Sequence, residues 1–343
     1  MRIETITSAQ NPKIKNLLTL QEKSRTRREQ GLFVVEGRRE LEHCLAAGFR
    51  VRTIFICPEI AGDIASILRA SSVTPDSGGC SLGHAGGAGS HSSVAGPARF
   101  GRRCENEPGT CDANPDSALS GVAGHGEKIT PATLVPGTCD EMPGTCDAAG
   151  AMPLIIEVPL PLYRKIAVRD STEGIIAEVE VRERRLEDLE LPENPLVVVL
   201  EAVEKPGNLG AVLRSADAAG ADAVIVCDPL TDLWNPNLIR ASIGAVFTVP
   251  TIAAPSAEVI PWLKARGIRI LTAQLQDSEW YYETPMTGPT ALVMGTESTG
   301  LTQAWRIAAD AHIRIPMLGR LDSLNVSVSA AILLFEAVRQ RHA

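Results

Sequence analysis

No apolar run in this chain reaches the roughly 18 residues that a membrane-spanning helix requires. Its first residues, MRIETITSAQ, also lack the apolar core of a signal peptide. Both absences lead us to expect a cytoplasmic protein with no membrane partner. Positive charge is short as well. Against 33 Lys and Arg stand 41 Asp and Glu, a formal net charge of -8, which argues against a simple basic nucleic-acid binder. The dinucleotide pattern GxGxxG is missing, and so is the phosphate-binding pattern GxxxxGK followed by Ser or Thr. A dinucleotide or NTP site therefore has no direct support. The eight cysteines form no CxxC pair and meet no matched histidine pair, so no metal is expected. A disulfide framework does not suit a cytoplasmic chain either.

Composition changes abruptly near Ser71 and recovers near Pro153. Between them lie 15 of the 29 glycines, five of the eight cysteines (Cys80, Cys104, Cys111, Cys139, Cys146) and three copies of PGTCD, with almost no aromatic residue. Such a stretch cannot bury enough apolar surface to offset its ordering entropy. It reads as a disordered or loosely ordered insertion over residues 71–152. The other cysteines, Cys44, Cys57 and Cys227, sit in apolar surroundings typical of a core.

The charge is unevenly spread. Between Asn11 and Arg39 stand eight basic residues (Lys13, Lys15, Lys23, Arg25, Arg27, Arg28, Arg38, Arg39) and three acidic ones (Glu22, Glu29, Glu36). Alone, this reads as a solvated helix face ahead of a binding surface. The spacing predicts one basic helix over residues 11–30, a strand at LFVVEG, a helix over 38–47 and a strand at VRTIFIC. PLYRKIAVRDSTEGIIAEVEV supplies a further helix and strand. The Gly- and Cys-rich stretch thus interrupts a first α/β domain, residues 1–180. The acidic residues 181–194 then link it to a second domain, 195–343.

In that second part strands and helices alternate. LVVVLEAV leads to a helix from Asn208 to Ala219, then come AVIVCD, a helix over 235–243, a strand at VFTVP, a helix over 257–266, IRILTAQ, ALVMG, IRIP and a final helix. This is the pattern of a mostly parallel sheet covered by helices.

Three loops in this part share a chemical character at the carboxyl ends of strands, where ligands bind in open α/β sheets. In EAVEKPGNLGAVLRSADAAG, Pro206 and Gly207 turn the chain and Asn208 is placed to cap a helix carrying Arg214. LVMGTESTGL places Gly295, Glu297 and Gly300 after a strand. IRIPMLGRLDSLNVSVS ends a strand at Ile315 and Pro316 and loads Ser323, Asn325, Ser327 and Ser329 onto the approach to the last helix. Singly, each is ordinary α/β punctuation.

In order, the three resemble the three motifs of the SpoU-type (TrmH-like) RNA 2'-O-ribose methyltransferases. Asn208, Gly210 and Arg214 match the first motif, and Gly295, Glu297 and Gly300 match the second. Ile315, Pro316, Met317, Gly319, Ser323, Leu324, Asn325, Val326, Ser327, Ala330 and Ala331 match the third. A softer likeness at Asn11, Pro12, Lys15, Glu36 and Gly37 points to the substrate-binding domain that precedes the catalytic one in many members.

The resemblance implies an α/β fold: a C-terminal trefoil-knotted SPOUT methyltransferase domain behind a smaller, L30e-like substrate-binding domain. It also implies a homodimer, S-adenosylmethionine as methyl donor and RNA as partner, with ribosomal RNA preferred to transfer RNA. By carry-over, Gly295, Ile315, Met317 and Leu324 would contact the donor. Arg214, Asn208, Glu297, Ser323 and Asn325 would form the catalytic set. Lys13, Lys15, Arg25, Arg27, Arg28 and Arg38 would face RNA phosphates.

The reaction is attack of a ribose 2'-oxygen on a sulfonium methyl. Arg214 is either its base or an orienting and charge-stabilising group; a guanidinium with a pKa above about 12 is better suited to the second. Glu297 either positions Arg214 or supports its loop. Two readings compete with the enzyme: a non-catalytic RNA-binding assembly factor on the same fold, and a nucleotide-binding enzyme of small molecules.

Overall fold

The computed structural model describes residues 2–62, 152–168, 173–296 and 299–343. The expected insertion over 71–152 therefore lies outside the described residues except for Met152, and so does Glu297.

A first sheet contains β1 (Arg2–Thr5), β2 (Leu32–Glu36), β3 (Val51–Ile56), β4 (Leu154–Glu157) and β5 (Ile175–Glu180), in the order β1-β4-β3-β5-β2. β1, β4 and β3 run parallel, and β5 is antiparallel to both β3 and β2. β4 pairs with β3 from Thr53↔Leu154 to Ile56↔Glu157. Chain on either side of the long undescribed stretch thus shares one sheet.

Two helices stand where one is expected over 11–30. α1 (Pro12–Glu22) starts at Asn11, whose side chain accepts from the Lys13 N–H at 2.9 Å, with Pro12 in the first turn. Ile14, Leu17 and Leu20 are its buried stripe. Lys23 is extended (φ -109, ψ 112) and separates it from α2 (Ser24–Gln30), which ends at Gly31 in the left-handed region. The break turns Arg27 inward. Three further helices complete this part: α3 (Arg38–Ala46), α4 (Pro58–Ala61) and α5 (Leu160–Ile166).

The second sheet is wholly parallel and contains β6 (Leu196–Glu201), β7 (Ala223–Cys227), β8 (Thr251–Ala254), β9 (Arg269–Ala273), β10 (Glu279–Trp280), β11 (Thr290–Met294) and β12 (Ala311–Arg314). Its order is β10-β12-β9-β11-β6-β7-β8. Around it lie α6 (Pro206–Ala219), α7 (Pro236–Ser242), α8 (Ala245–Thr248), α9 (Ser256–Ala265), α10 (Gln303–Ala308) and α11 (Val326–Arg341). β6, β7 and β11 are buried along their whole length, as continuous apolar runs covered on both faces must be. Alternate residues serve two cores: Val198, Leu200, Val224 and Val226 pack with α6 and α11, while Val197, Val199, Ile225 and Val293 pack with α9 and α10. Arg341 ties down the end of α11 by donating to the carbonyls of Met286, Asn194, Pro195 and Gly288.

Two local expectations are corrected. VFTVP is not a strand: Ala245–Thr248 is helical and the strand begins at Thr251. A short apolar run carries no period to arbitrate, and burial of Val246 and Phe247 in the shared core decided the matter. Asn208 does not cap its helix. The helix begins at Pro206 with Lys205 at the cap position, because proline is already set for the first turn. Asn208 therefore sits inside the helix and not at its cap.

The order of strands fixes the place of a site. From β6 the chain proceeds outward through β7 and β8, then crosses to the other side, where β11 lies next to β6. The boundary between β6 and β11 is a topological switch point, the crevice in which such sheets bind ligands.

Candidate active site at the switch point

The loops that leave β6, β9, β11 and β12 converge there. Gly295 directly follows β11, and a Cβ built on it would lie 2.3 Å from the carbonyl carbon of Gly300 and 2.6 Å from the amide nitrogen of Leu301. Only glycine allows that closure. The loop is drawn in by the Gly300 N–H donating to Thr296 O at 3.1 Å, and Gly300 itself has φ 65. Glu201, buried at the end of β6, accepts from the Thr302 N–H at 2.8 Å and from its hydroxyl at 2.7 Å. That carboxylate pins the far side of the loop to the neighbouring strand.

Asn325 explains the polar residues before α11. Its Oδ1 accepts from the Ser327 N–H at 2.9 Å and the Ser327 hydroxyl at 2.6 Å, so it is the helix cap. Ser323 precedes the cap, and Ser327 and Ser329 lie in the first turns of α11. Asn325 also donates through Nδ2 to Asn208 Oδ1 at 3.2 Å. The first and third motifs are thereby joined by their asparagines.

Two cavities open at this junction. The larger, about 350 Å³, is lined by Gly295, Ile315, Met317, Ser323 and Leu324 of the expected set. Ile313 and Leu333 extend its apolar wall, and Gln274, Arg306, Arg314 and Asp322 contribute polar groups. The smaller, about 120 Å³, is lined by Val203, Glu204, Lys205 and Asn208, and it shares Gly295, Thr296 and Val326 with the larger. A drug-sized pocket thus abuts a narrow one.

Arg214 lines neither cavity. It is exposed on α6 and makes no hydrogen bond or ion pair among the described residues. Of the six cations expected to face RNA, Lys13, Lys15, Arg25 and Arg28 are exposed and Arg38 is half-buried. Lys13 pairs with Glu4, and Arg25 with Glu29 at 2.7 Å. Arg27 must be withdrawn from that surface. It is 2% exposed, and its guanidinium serves Asp232 and the carbonyls of Leu20 and Gln21.

Several site residues were missed from the sequence. Gln274 ends IRILTAQ, and its only signal is its position at the carboxyl end of a parallel strand. Arg306 donates to Leu301 O at 3.1 Å, and the Arg314 guanidinium lies 4.3 Å over the Trp280 ring. Burial pushes the Cys227 thiol up to about 12 and raises that of Cys44, so neither of these two is a thiolate near neutrality. Among the described residues, no group of three or more His, Cys, Asp or Glu is placed to hold a metal ion. None of their helices is long and apolar enough to cross a membrane.

The profile of the SpoU rRNA Methylase family matches residues 195–335, and that of the MRM3-like substrate binding domain matches residues 11–75. Over 178 residues the chain is 38% identical to the 23S rRNA (guanosine-2'-O-)-methyltransferase RlmB of Pseudomonas putida, covering 49% of this chain and 71% of that one. The chain belongs to the SpoU rRNA methylase family. It is also 36% identical over 174 residues to the 23S rRNA (uridine(2479)-2'-O)-methyltransferase of Streptomyces viridochromogenes, covering 49% of this chain and 60% of that relative's length. Among solved structures, the AdoMet-bound rRNA methyltransferase of Sinorhizobium meliloti superposes with a TM-score of 0.70 at 25% identity, covering 99% of this chain and 98% of that one. The SpoU motifs are the segments that line the two cavities, with β9 contributing a further wall.

Proposed function

We propose that this chain is an S-adenosylmethionine-dependent RNA 2'-O-ribose methyltransferase acting on 23S ribosomal RNA. The observation that carries the reading is the pair of joined cavities at the switch point, built from all three SpoU motifs. The larger fits the methyl donor in size and in chemistry. Ile313, Ile315 and Leu324 supply apolar cover for a flat base, while Ser323 and Asp322 offer polar groups. When bound, the donor supplies an electrophilic methyl on a sulfonium. The chain's own contribution is orientation. Asn208, on the wall of the smaller cavity and held by Asn325, is placed to hydrogen-bond an incoming ribose. Gly295 lets backbone, not side chain, form the boundary between the two spaces.

The remaining features agree with a knotted homodimer in the cytoplasm. The stretch leading into α11 and the loop closed by Gly295 line one cavity, and α11 packs against α6, as threading of the chain end would require. Val328 and Phe335 lie seven positions apart on α11 and are 47% and 50% exposed. They make an apolar stripe suited to a second copy. Arg214 lies outside its own chain's cavities, so a second copy is the natural source of that guanidinium. Residues 1–180 serve as the substrate-binding part, through the exposed cations of α1 and α2. Residues 181–194 join it to the catalytic part, 195–343.

The test is transfer of labelled methyl from S-adenosylmethionine to ribosomal RNA lacking the modification, wild type beside Arg214→Ala, with the product mapped by 2'-O-methyl-sensitive cleavage. One ribose-methylated position in 23S RNA, lost in the variant, is the expected result. Methylation confined to transfer RNA would overturn the substrate. Donor binding without transfer to any RNA would overturn the enzyme.

A further inference from the structure

The segment between β12 and α11 gives the larger cavity both stems of a loop. Met317 lines the cavity from one stem, and Asp322, Ser323 and Leu324 line it from the other. The four residues between them, Leu318, Gly319, Arg320 and Leu321, form an exposed tip that is not part of the wall. Leu318 is 97% exposed and Leu321 76%. A Cβ built on Gly319 would meet nothing within 4 Å. From Pro316 to Ser323 no backbone N–H or C=O enters a backbone hydrogen bond among the described residues. The one side-chain bond there runs from Ser323 Oγ to Asp322 Oδ1 at 3.4 Å. Single exposed leucines are ordinary. Two on one four-residue tip beside a cavity are different, because the chain's own fold gives them no partner and no backbone hydrogen bond must break for the tip to move.

We propose that Leu318 and Leu321 complete the donor site: the tip folds over the mouth of the larger cavity when S-adenosylmethionine binds and lays both side chains on it. The inference rests on the methyl-donor reading of this cavity and goes beyond it by assigning two donor-covering residues and the movement that brings them in. Reach is no obstacle. Leu318 follows Met317 and Leu321 precedes Asp322, so each Cα is one peptide, about 3.8 Å, from that of a wall residue. Rotation about a few backbone torsions in the stems turns the leucines inward. Gly319, with no side chain and open space around it, absorbs the change. Ile313, Ile315 and Leu324 already give the wall apolar surface, and the two leucines extend the same chemistry across the open side. The movement hides apolar surface of tip and ligand together, so a filled cavity favours the closed tip and an empty one does not. Closure also keeps water from the place where the methyl is transferred.

The test pairs protection of the tip with ligand affinity. The full chain is treated briefly with trypsin, with and without saturating S-adenosylhomocysteine, and cleavage of the bond between Arg320 and Leu321 is followed by mass spectrometry. The ligand should slow that cut by at least about tenfold, while cleavage after Lys23, exposed between α1 and α2, stays unchanged. Calorimetry then compares wild type with the double variants Leu318→Ala, Leu321→Ala and Leu318→Met, Leu321→Met. The alanine pair should bind S-adenosylhomocysteine on the order of 30-fold more weakly, and the methionine pair should stay within about threefold of wild type. Ligand-free melting temperatures should be equal in all three proteins, because both leucines are exposed without ligand. Unslowed cleavage with ligand bound would show that the tip stays open, and wild-type affinity in the alanine pair would show that the leucines do not touch the donor. Either result overturns the proposal. A tip that resists trypsin without ligand, together with dissociation of the alanine pair into monomers in sedimentation, would assign the leucines to a second copy and overturn it as well. If wild type binds no S-adenosylhomocysteine, the methyl-donor reading itself fails, and that outcome is distinct from the others.

Discussion

Arg27 and Asp232, 205 residues apart, form an ion pair between the two halves of the molecule, with Nε 2.7 Å from Oδ2 and side chains only 3% and 15% exposed. Asp232 also accepts from the Trp234 N–H at 2.9 Å, and the Trp234 ring stacks on Phe33 of β2 with centroids 4.6 Å apart. Phe49 and Phe247 complete the aromatic group. α2 is therefore held to the segment after β7 by a buried charge pair next to an aromatic cluster.

Removing one partner of that pair leaves a buried charge uncompensated. Arg27→Ala should cost about 3–5 kcal/mol of unfolding free energy, whereas the double change Arg27→Met with Asp232→Leu should restore most of it. Urea denaturation of the two variants beside wild type decides the point. A loss below about 1 kcal/mol for Arg27→Ala would be that of an exposed pair and would contradict the burial.

Much of this architecture was legible in the sequence, for identifiable reasons. LVVVLE, AVIVC and TALVM are β-branched apolar runs that suit a doubly covered parallel sheet, and Gly295 and Asn325 carry out tasks that few other residues perform. What escaped was long-range. Arg27 looked like one more surface cation because Asp232 lies far along the chain. Gln274 gave only its place at the end of a strand, because the cavity it lines is formed with loops far along the chain. The position of Arg214 outside its own cavities depends on which face of α6 packs inward, and that is set by α7 and α11.

Gly210 and Gly295 are fixed by close approach, and alanine at either should be felt. A Cβ at Gly210 would meet the Ala241 Cβ at 2.6 Å and the Ser242 nitrogen at 2.8 Å, forcing α6 away from α7. Gly210→Ala should cost about 1–3 kcal/mol of stability. Gly295→Ala collides with backbone at the cavity boundary, so calorimetry should show loss of S-adenosylhomocysteine binding. Wild-type affinity in that variant would mean that the loop relaxes freely.

Stability should fall in acid partly through Glu336. Its carboxyl accepts from Arg339 Nε and Nη2, each at 2.8 Å, and from Gln340 Nε2 at 2.8 Å. Hydrogen bonding from Arg339 is the main cause that lowers its pKa below the ordinary carboxylate value. A depressed native pKa contributes stability above the unfolded value, near about 4.3, and loses it as pH falls through the native value. Glu336→Gln should therefore be less stable than wild type near neutrality, with the gap closing below about pH 4. Equal gaps in urea midpoints at neutral and acid pH would remove Glu336 from the acid response.

Binding of ribosomal RNA fragments should depend on salt through the exposed cations and not through Arg27. Each phosphate contact contributes close to one unit to the slope of log K against log salt. Lys15 and Arg28 are exposed and make no ion pair among the described residues. Lys15→Ala and Arg28→Ala should each shallow the slope by about one, most simply read by filter binding across a salt series. An unchanged slope in both would place the RNA on another face.

Arg214 is exposed and lines neither cavity of its own chain, which makes the catalytic contribution of a second copy open to direct test. Arg214→Ala keeps an intact cavity without the guanidinium; Gly295→Ala keeps the guanidinium without a usable cavity. Each should be inactive alone. If the arginine acts across a dimer, unfolding and refolding the two together should pair them at random, half of the dimers being mixed and each mixed dimer holding one complete site. Methyl transfer to ribosomal RNA should then return to about a quarter of the wild-type level. If Arg214 acts within its own chain, no combination assembles a complete site and the mixture stays inactive. Recovery would show that the arginine is supplied in trans, and its absence from a mixture proven to contain mixed dimers would return Arg214 to its own chain.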